Sequence, residues 1–241
     1  MAGFCSYSDA RAQTGLMTQS SQRFSDVGIG AHIGINGMGF DVAAPLARHF
    51  NVRVGGDFFS YSTAFTEQGA NVDASMQLQS AHVNLDWFPF HNGLHVSPMV
   101  VVGNNNHGRA TVLVPAGSTI NLDGQNFISS LKDPLHGSGS VDFRKTSPGL
   151  TLGWGNMIPR SGRHVSFPVD LGFYYVGQPT LKIAFTGSAC DPTKPAAISC
   201  ESVDDDAGFQ ADLNAFRARN EHNLSYASFF PVLSTGVGYR F

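Results

Sequence analysis

The chain of 241 residues contains no run of about 18 apolar residues, which excludes a membrane-spanning helix. It is also short of charge. Its 15 Lys and Arg and 18 Asp and Glu leave a net charge of -3, and the basic residues form no block. A nucleic-acid-binding surface built from clustered cations is therefore excluded. Cysteine is nearly absent, with three residues, and two thiols alone do not make a metal site, so no metal is expected. No pattern calls for a cofactor. Glutamate is confined to Glu67, Glu201 and Glu221, and tryptophan to two residues. Glycine (27) and phenylalanine (19) are plentiful, the bias expected of strands with a small-residue face and an aromatic belt. The missing apolar helix leaves one membrane architecture open. A barrel strand needs only about 9 to 11 alternating residues, which keeps mean hydropathy near neutral, as found.

Alternation recurs along the chain. Val27, Ile29, Ala31, Ile33 and Ile35 alternate with Gly28, Gly30, His32 and Gly34, and Asn36-Gly37 then supplies a strong hairpin signal. Met38, Phe40, Val42 and Ala44 continue against Gly39 and Asp41, and Arg48-His49-Phe50 turns the chain into a third strand. There Val52, Val54 and Phe58 oppose Arg53 and Asp57, until the pattern blurs after Phe58, as at a bulge. Thr66 to Asp73 reads as a polar loop. A fourth strand sets Ala81, Val83, Leu85 and Trp87 against His82, Asn84 and Asp86. In the fifth, Leu94, Val96, Pro98 and Val100 oppose His95, Ser97, Met99 and Val101, and Asn104-Asn105-Asn106 ends it. Residues 105 to 143 read as a long loop in which 111–114 and 118–122 form a hairpin. Sixth and seventh strands follow at 150–154 and 165–175.

A second insertion, 177 to about 226, contains Cys190, Cys200 and the Asp204-Asp205-Asp206 run, then a helical stretch with Phe209, Leu213 and Phe216 at helix spacing. That helix is expected to cap loops, because it lacks the basic bias of a membrane-surface helix. In the last strand Leu233, Thr235, Val237, Tyr239 and Phe241 share one face, and Ser234, Gly236, Gly238 and Arg240 the other. At the other end, Ala10-Arg11-Ala12 before Gln13 has the small-x-small form of a signal-peptidase site. Residues 1–12 are accordingly expected to be a leader remnant, 13–26 a periplasmic segment and 27–241 the barrel. Cys5 would leave with the leader, and Cys190 and Cys200 would pair to staple their loop in an oxidising compartment.

None of the apolar faces carries a charge, whereas the opposite faces collect Asp41, Arg53, Asp57, Asp86, Asp170 and Arg240 with His32, His82 and His95. Polar groups inside and apolar groups outside invert a soluble barrel such as a lipocalin-like fold. Lipid explains the inversion, since a sheet crosses hydrocarbon only as a closed barrel. Eight antiparallel strands put both termini on the side of the short turns, and the long loops on the other.

The terminal Tyr239-Arg240-Phe241, with its alternating approach, resembles the assembly signal of bacterial outer-membrane β-barrels. The segment from Val27 to Phe241 resembles small barrels of the OmpA or OmpW broad type. That resemblance implies an all-β, up-and-down transmembrane barrel of about eight strands in the bacterial outer membrane, with outer-membrane lipid and the barrel-assembly machinery as partners, the latter through Tyr239 and Phe241. An eight-stranded bore is filled by side chains. The expected lumen network is Asp41, Arg53, Asp57, His82, Asp86, His95, Asp170 and Arg240, with Arg53 in a network with Asp57 and at least one of Asp41 or Asp86. The first functional reading is a non-enzymatic structural or surface barrel with a plugged polar lumen. The alternatives are a narrow channel, cation-preferring if it conducts, or a carrier for small hydrophobic solutes, with Met99 and Val101 either lining a pocket for such a ligand or packing under a loop. The third reading is a lipid-modifying enzyme. His95-Val96-Ser97 resembles the His-x-Ser of lipid A deacylases, and His164-Val165-Ser166 repeats it, but no Glu on a strand is available to orient the imidazole.

Overall fold

The computed structural model describes residues 26–67, 69–90, 92–193 and 200–241. The expected leader, and all but the last residue of the 13–26 segment, fall outside them.

Five strands open the chain: β1 (Gly28–Gly34), β2 (Gly37–Ala47), β3 (Phe50–Glu67), β4 (Ala70–Trp87) and β5 (Leu94–Asn104). The next four are β6 (His107–Leu113), β7 (Thr119–Leu122), β8 (Gln125–Ser129) and β9 (His136–Asp142). Then come β10 (Ser147–Trp154), β11 (Val165–Ser166), β12 (Val169–Tyr175), β13 (Thr180–Thr186), β14 (Ser188–Cys190) and β15 (Cys200–Ser202). Helix α1 (Ala207–Ser225) precedes the last strand, β16 (Phe229–Arg240).

Eight of these strands close a ring in the order β4, β3, β2, β1, β16, β12, β10, β5 and back to β4, every pair antiparallel. Closure leaves no free edge in the barrel wall. Strand β1 shows how the chain ends are joined: Ile29 faces Tyr239 of β16 on one side and Val42 of β2 on the other. The turn before β2 uses Gly37 at φ +106°, a conformation that side-chain-bearing residues rarely adopt.

Four expectations need correction. Thr66 to Asp73 is not a loop: β3 and β4 pair continuously from Phe50↔Trp87 to Glu67↔Ala70, so their hairpin projects beyond the barrel. Out there both faces lose a fixed environment, which is why the alternation blurs after Phe58 without any bulge. The register shifts lie instead at Pro45/Ala47 and at Ala81/His82. Segment 111–114 does not pair with 118–122; β7 pairs with β8 around Asp123-Gly124, and β6 pairs with β4 and β9. The seventh strand is broken into β11 and β12 at Phe167-Pro168, where Pro168 has no N–H to offer the ladder and its carbonyl accepts from Gly236 N at 3.0 Å.

The long loops are therefore a folded head. Above the barrel, β6 takes over the edge of β4 that β5 vacates at Asn104, and β9 and β13 extend that sheet. A four-stranded sheet, β15-β14-β8-β7, and α1 pack on it around Val114, Leu122, Phe127, Leu135, Val203 and Phe209. Helix α1 starts where Asp206 accepts from the backbone N–H of Gly208 (2.9 Å) and Phe209 (3.1 Å). As the spacing predicted, its Phe209 and Leu213 are buried and Phe216 packs beside them. Cys190 and Cys200 are disulfide-bonded between β14 and β15.

Candidate functional site in the barrel lumen

The side-chain period of two that turns Val42, Val54, Val83 and Leu171 outward turns Asp41, Arg53, His82 and Asp170 toward the axis. Packed against one another, the inward residues form three tiers. At the short-turn end, Met157 and Ile158 fold into the bore against Ala43, and the Asn156 side-chain oxygen accepts from Asn51 Nδ2 at 2.8 Å and from Ile158 N at 2.9 Å. At the head end, Met99, Val101, Tyr174, Val176 and Val232 make an apolar layer with Phe143 and Phe230 against it. Met99 and Val101 are thus packing residues beneath the head. Asn106 Nδ2 donates to the Tyr174 hydroxyl at 3.2 Å there.

The middle tier is ionic and has two halves. Arg53, on β3, stands diametrically opposite Asp170 on β12 in the eight-strand ring. It donates from Nη1 to Asp170 Oδ2 at 2.7 Å, and from Nη2 to Asp170 Oδ1 at 3.3 Å and Asp86 Oδ1 at 3.1 Å. His95 Nε2 lies 2.9 Å from Asp170 Oδ1, and Ser97 donates to Asp86 Oδ1 at 2.6 Å. The second half is a ring of four side chains. His32 sets its two nitrogens 2.8 Å from Asp41 and 2.8 Å from Asp57; His82 sets its own 3.1 Å from Asp41 and 3.2 Å from Asp57. Ser80 donates at 3.2 Å to Asp57 Oδ2, the oxygen that also faces His82.

These distances bring together seven of the eight residues expected from the sequence: Asp41, Arg53, Asp57, His82, Asp86, His95 and Asp170. Two details change. Arg53 is bonded to Asp86 and Asp170 rather than to Asp57, whose partners are the two imidazoles. Arg240 is separate: it sits at the short-turn mouth, donating to Asp26 Oδ1 at 3.0 Å and to the Pro159 carbonyl at 2.5 Å. Sequence reasoning gave His32 the right face but no place in the network, it considered Ser97 only as a partner of His95, and it passed over Ser80 and Asn51, whose polar side chains look alike on any inner face. The glycines were the available signal. A β-carbon on Gly39 would meet the His32 ring, and one on Gly153 would meet His95, so bare backbone makes room for each imidazole.

Four carboxylates face one guanidinium and three imidazoles, so the tier is neutral when all three imidazoles are protonated. An imidazole with a carboxylate oxygen at each nitrogen donates from both only in that form. The void left among these residues is about 30 Å³, lined by Arg53 and Thr151 among others, room for a water molecule or two. Arg53 Nε and Thr151 Oγ1, which have no protein partner, belong to that lining. His95 and Ser97 are buried and bonded to different aspartates, not arranged as a base beside its nucleophile.

The outer surface completes the inversion. Val42, Phe40, Leu152, Leu171, Leu233 and Val237 all lie exposed on the barrel wall, with Trp154 and Phe167 toward the short-turn end. Aliphatic rows of this extent around a closed sheet with an ionic interior require hydrocarbon on the outside. The protein is a transmembrane β-barrel of the class found in bacterial outer membranes, and that membrane is its location. No family model and no curated protein matches the sequence. Among solved structures it is similar to CarO of Acinetobacter baumannii, at 21% identity and a TM-score of 0.55, and to CarO2 of the same organism, at 18% and 0.55. Each comparison covers 90% of this chain and 98% of the other, and at these identities the likeness is one of fold.

Proposed function

We propose that this protein is a non-enzymatic outer-membrane barrel held shut by its own lumen, and that it works through the head it carries on the outside of the cell. The observation that carries this reading is the Arg53 bridge across the full diameter of the bore, between Asp86 and Asp170, with apolar tiers above and below it. A hydrated ion would have to break charge-assisted bonds in low dielectric to pass. The short connections β2–β3, β4–β5 and β10–β11 share one end with both strand termini, and the usual asymmetry of short periplasmic turns and long outer loops supports a head on the outside. Tyr239 and Phe241 stand on the lipid face of the closing strand, ring centroids 5.3 Å apart, where the assembly machinery would read them. The separate bonding of His95 and Ser97 argues against hydrolysis.

Planar-bilayer recording tests the reading. The purified protein is expected to give no discrete conductance steps; reproducible unitary steps from the wild-type protein would overturn it.

A further inference from the structure

The head contains a cleft that nothing in the lumen accounts for. Its floor is the face of the β4-β6-β9-β13 sheet that continues the inner face of the barrel: along β4 the row Asp86, Asn84, His82 and Ser80 runs on without a break into Leu78, Met76 and Ala74. Cross-strand register sets Ala110, Gly139 and Ile183 in one row across the floor, with Ala74 flanking it on β4, and Gly108, Val141 and Leu181 in the next, flanked by the exposed Met76. The following row, Val72, Val112, Gly137 and Phe185, runs under α1 and the β7-β8 hairpin, where Phe185 lies across Gly137 and meets Phe209 edge-on at 5.6 Å. Ile120, Leu122 and Phe216 roof the hollow that remains.

The hollow measures about 590 Å³, within the range of small-molecule sites. Its size follows from the sequence. Gly108, Ala110 and Gly139 occupy the middle of the floor, on β6 and β9, where a core would carry leucine or phenylalanine, and a β-carbon added to Gly108 would meet no atom within 4 Å. The lining is overwhelmingly apolar. Both neighbours of β6 and of β9 are strands, so the backbone groups of those two strands are paired in ladders; β13 is the edge of the sheet, and its Ile183 carbonyl accepts from Arg217 Nη2 at 2.7 Å. Of charged residues only Glu67 and Arg109 border it, and Arg109 belongs to the opposite face of β6 from Gly108 and Ala110.

The geometry points to a binding site for an uncharged, mainly hydrophobic small molecule in this cleft, above the ionic plug and outside the barrel. The ligand is a hydrophobic solute rather than an ion or sugar, because a polar ligand would be desolvated there without replacement hydrogen bonds. The site does not depend on whether the lumen conducts.

Photolabelling of the full chain in lipid nanodiscs with iodophenyl trifluoromethyl diazirine, an uncharged hydrophobic probe, followed by peptide mapping, tests it. Labelling is expected on β6, β9 and β13 in addition to the lipid-facing belt. Gly108→Phe fills the hollow and is expected to reduce head labelling about tenfold while leaving the belt labelled. Gly139→Leu, whose β-carbon would meet only the Lys182 carbonyl at 3.9 Å, should do the same if the first variant fails to fold. Thr111→Phe, on the other face of β6, is expected to leave labelling unchanged. A head that stays unlabelled while the belt is labelled, or labelling that survives in both glycine variants, would overturn the proposal.

Discussion

Without the Arg53 guanidinium, Asp86 would keep only the Ser97 hydroxyl and Asp170 only His95 among these partners. Breaking one partner out of a buried ionic group costs about 3 to 5 kcal/mol, mostly because the charge left behind stays desolvated. Arg53→Met is therefore expected to lower the urea midpoint of the barrel refolded in lipid vesicles by a corresponding amount. Arg53→Lys should recover only part of it, since a single ammonium cannot repeat the forked contact that reaches both carboxylates. An unchanged midpoint for Arg53→Met would mean that the bridge is ornamental to stability. At this scale the sequence was informative about sign and orientation. Asp, Arg and His on one side of an alternating strand announce the lumen, but which carboxylate meets which cation depends on the strand order around the ring and on stagger, neither of which is local. Arg53 finds Asp170, 117 positions away, because β3 and β12 are opposite each other in the closed ring.

Among the elements, the eight barrel strands were legible because hydrocarbon on one side and a packed interior on the other impose a strict alternation. The head was not. Its strands β6, β9 and β13 are seven residues each, with Gly, Ser and Ala frequent in β6 and β9, and they have water on one face and a cleft on the other, so neither face has to be uniformly apolar. Thr66 to Asp73 failed for the same reason: polarity signals exposure to water and does not by itself end a ladder. Helix α1 was visible because Phe209, Leu213 and Phe216 recur on one face. The Cys190–Cys200 bridge ties β14 to β15 across a loop closed by a separation of 10 residues. Closing a loop of that size is worth about 2 to 3 kcal/mol, drawn from the unfolded state. Reduction, or Cys190→Ser with Cys200→Ser, is expected to expose β14 and β15 to protease in limited digestion while the barrel strands stay protected. Cleavage that is equal with and without the bridge would contradict this.

For the molecule as a whole, two construction principles share one continuous sheet. Below Leu78 the inner face of β4 is ionic and closed on itself; above it, the same face is apolar and opens into the cleft beneath α1. The change falls where β5 gives way to β6 along the edge of β4, between Asn104 and His107. There Asn106 Oδ1 accepts from Gln79 N at 2.7 Å, and Asn105 N donates to the Gln79 carbonyl at 2.8 Å, so that the ladder continues past the exchange. This arrangement separates the membrane-spanning barrel from the head, and everything proposed for the head presumes that the barrel below it is seated in lipid. The chain contains 2 Trp, and both Trp87 and Trp154 lie exposed on the barrel wall toward the short-turn end. Their fluorescence in vesicles made with brominated phospholipids is the most direct measurement. Quenching by lipid-borne bromine, strongest with bromines near the interface, together with poor quenching by aqueous acrylamide, is the predicted result; strong acrylamide quenching with no effect of the brominated chains would contradict it.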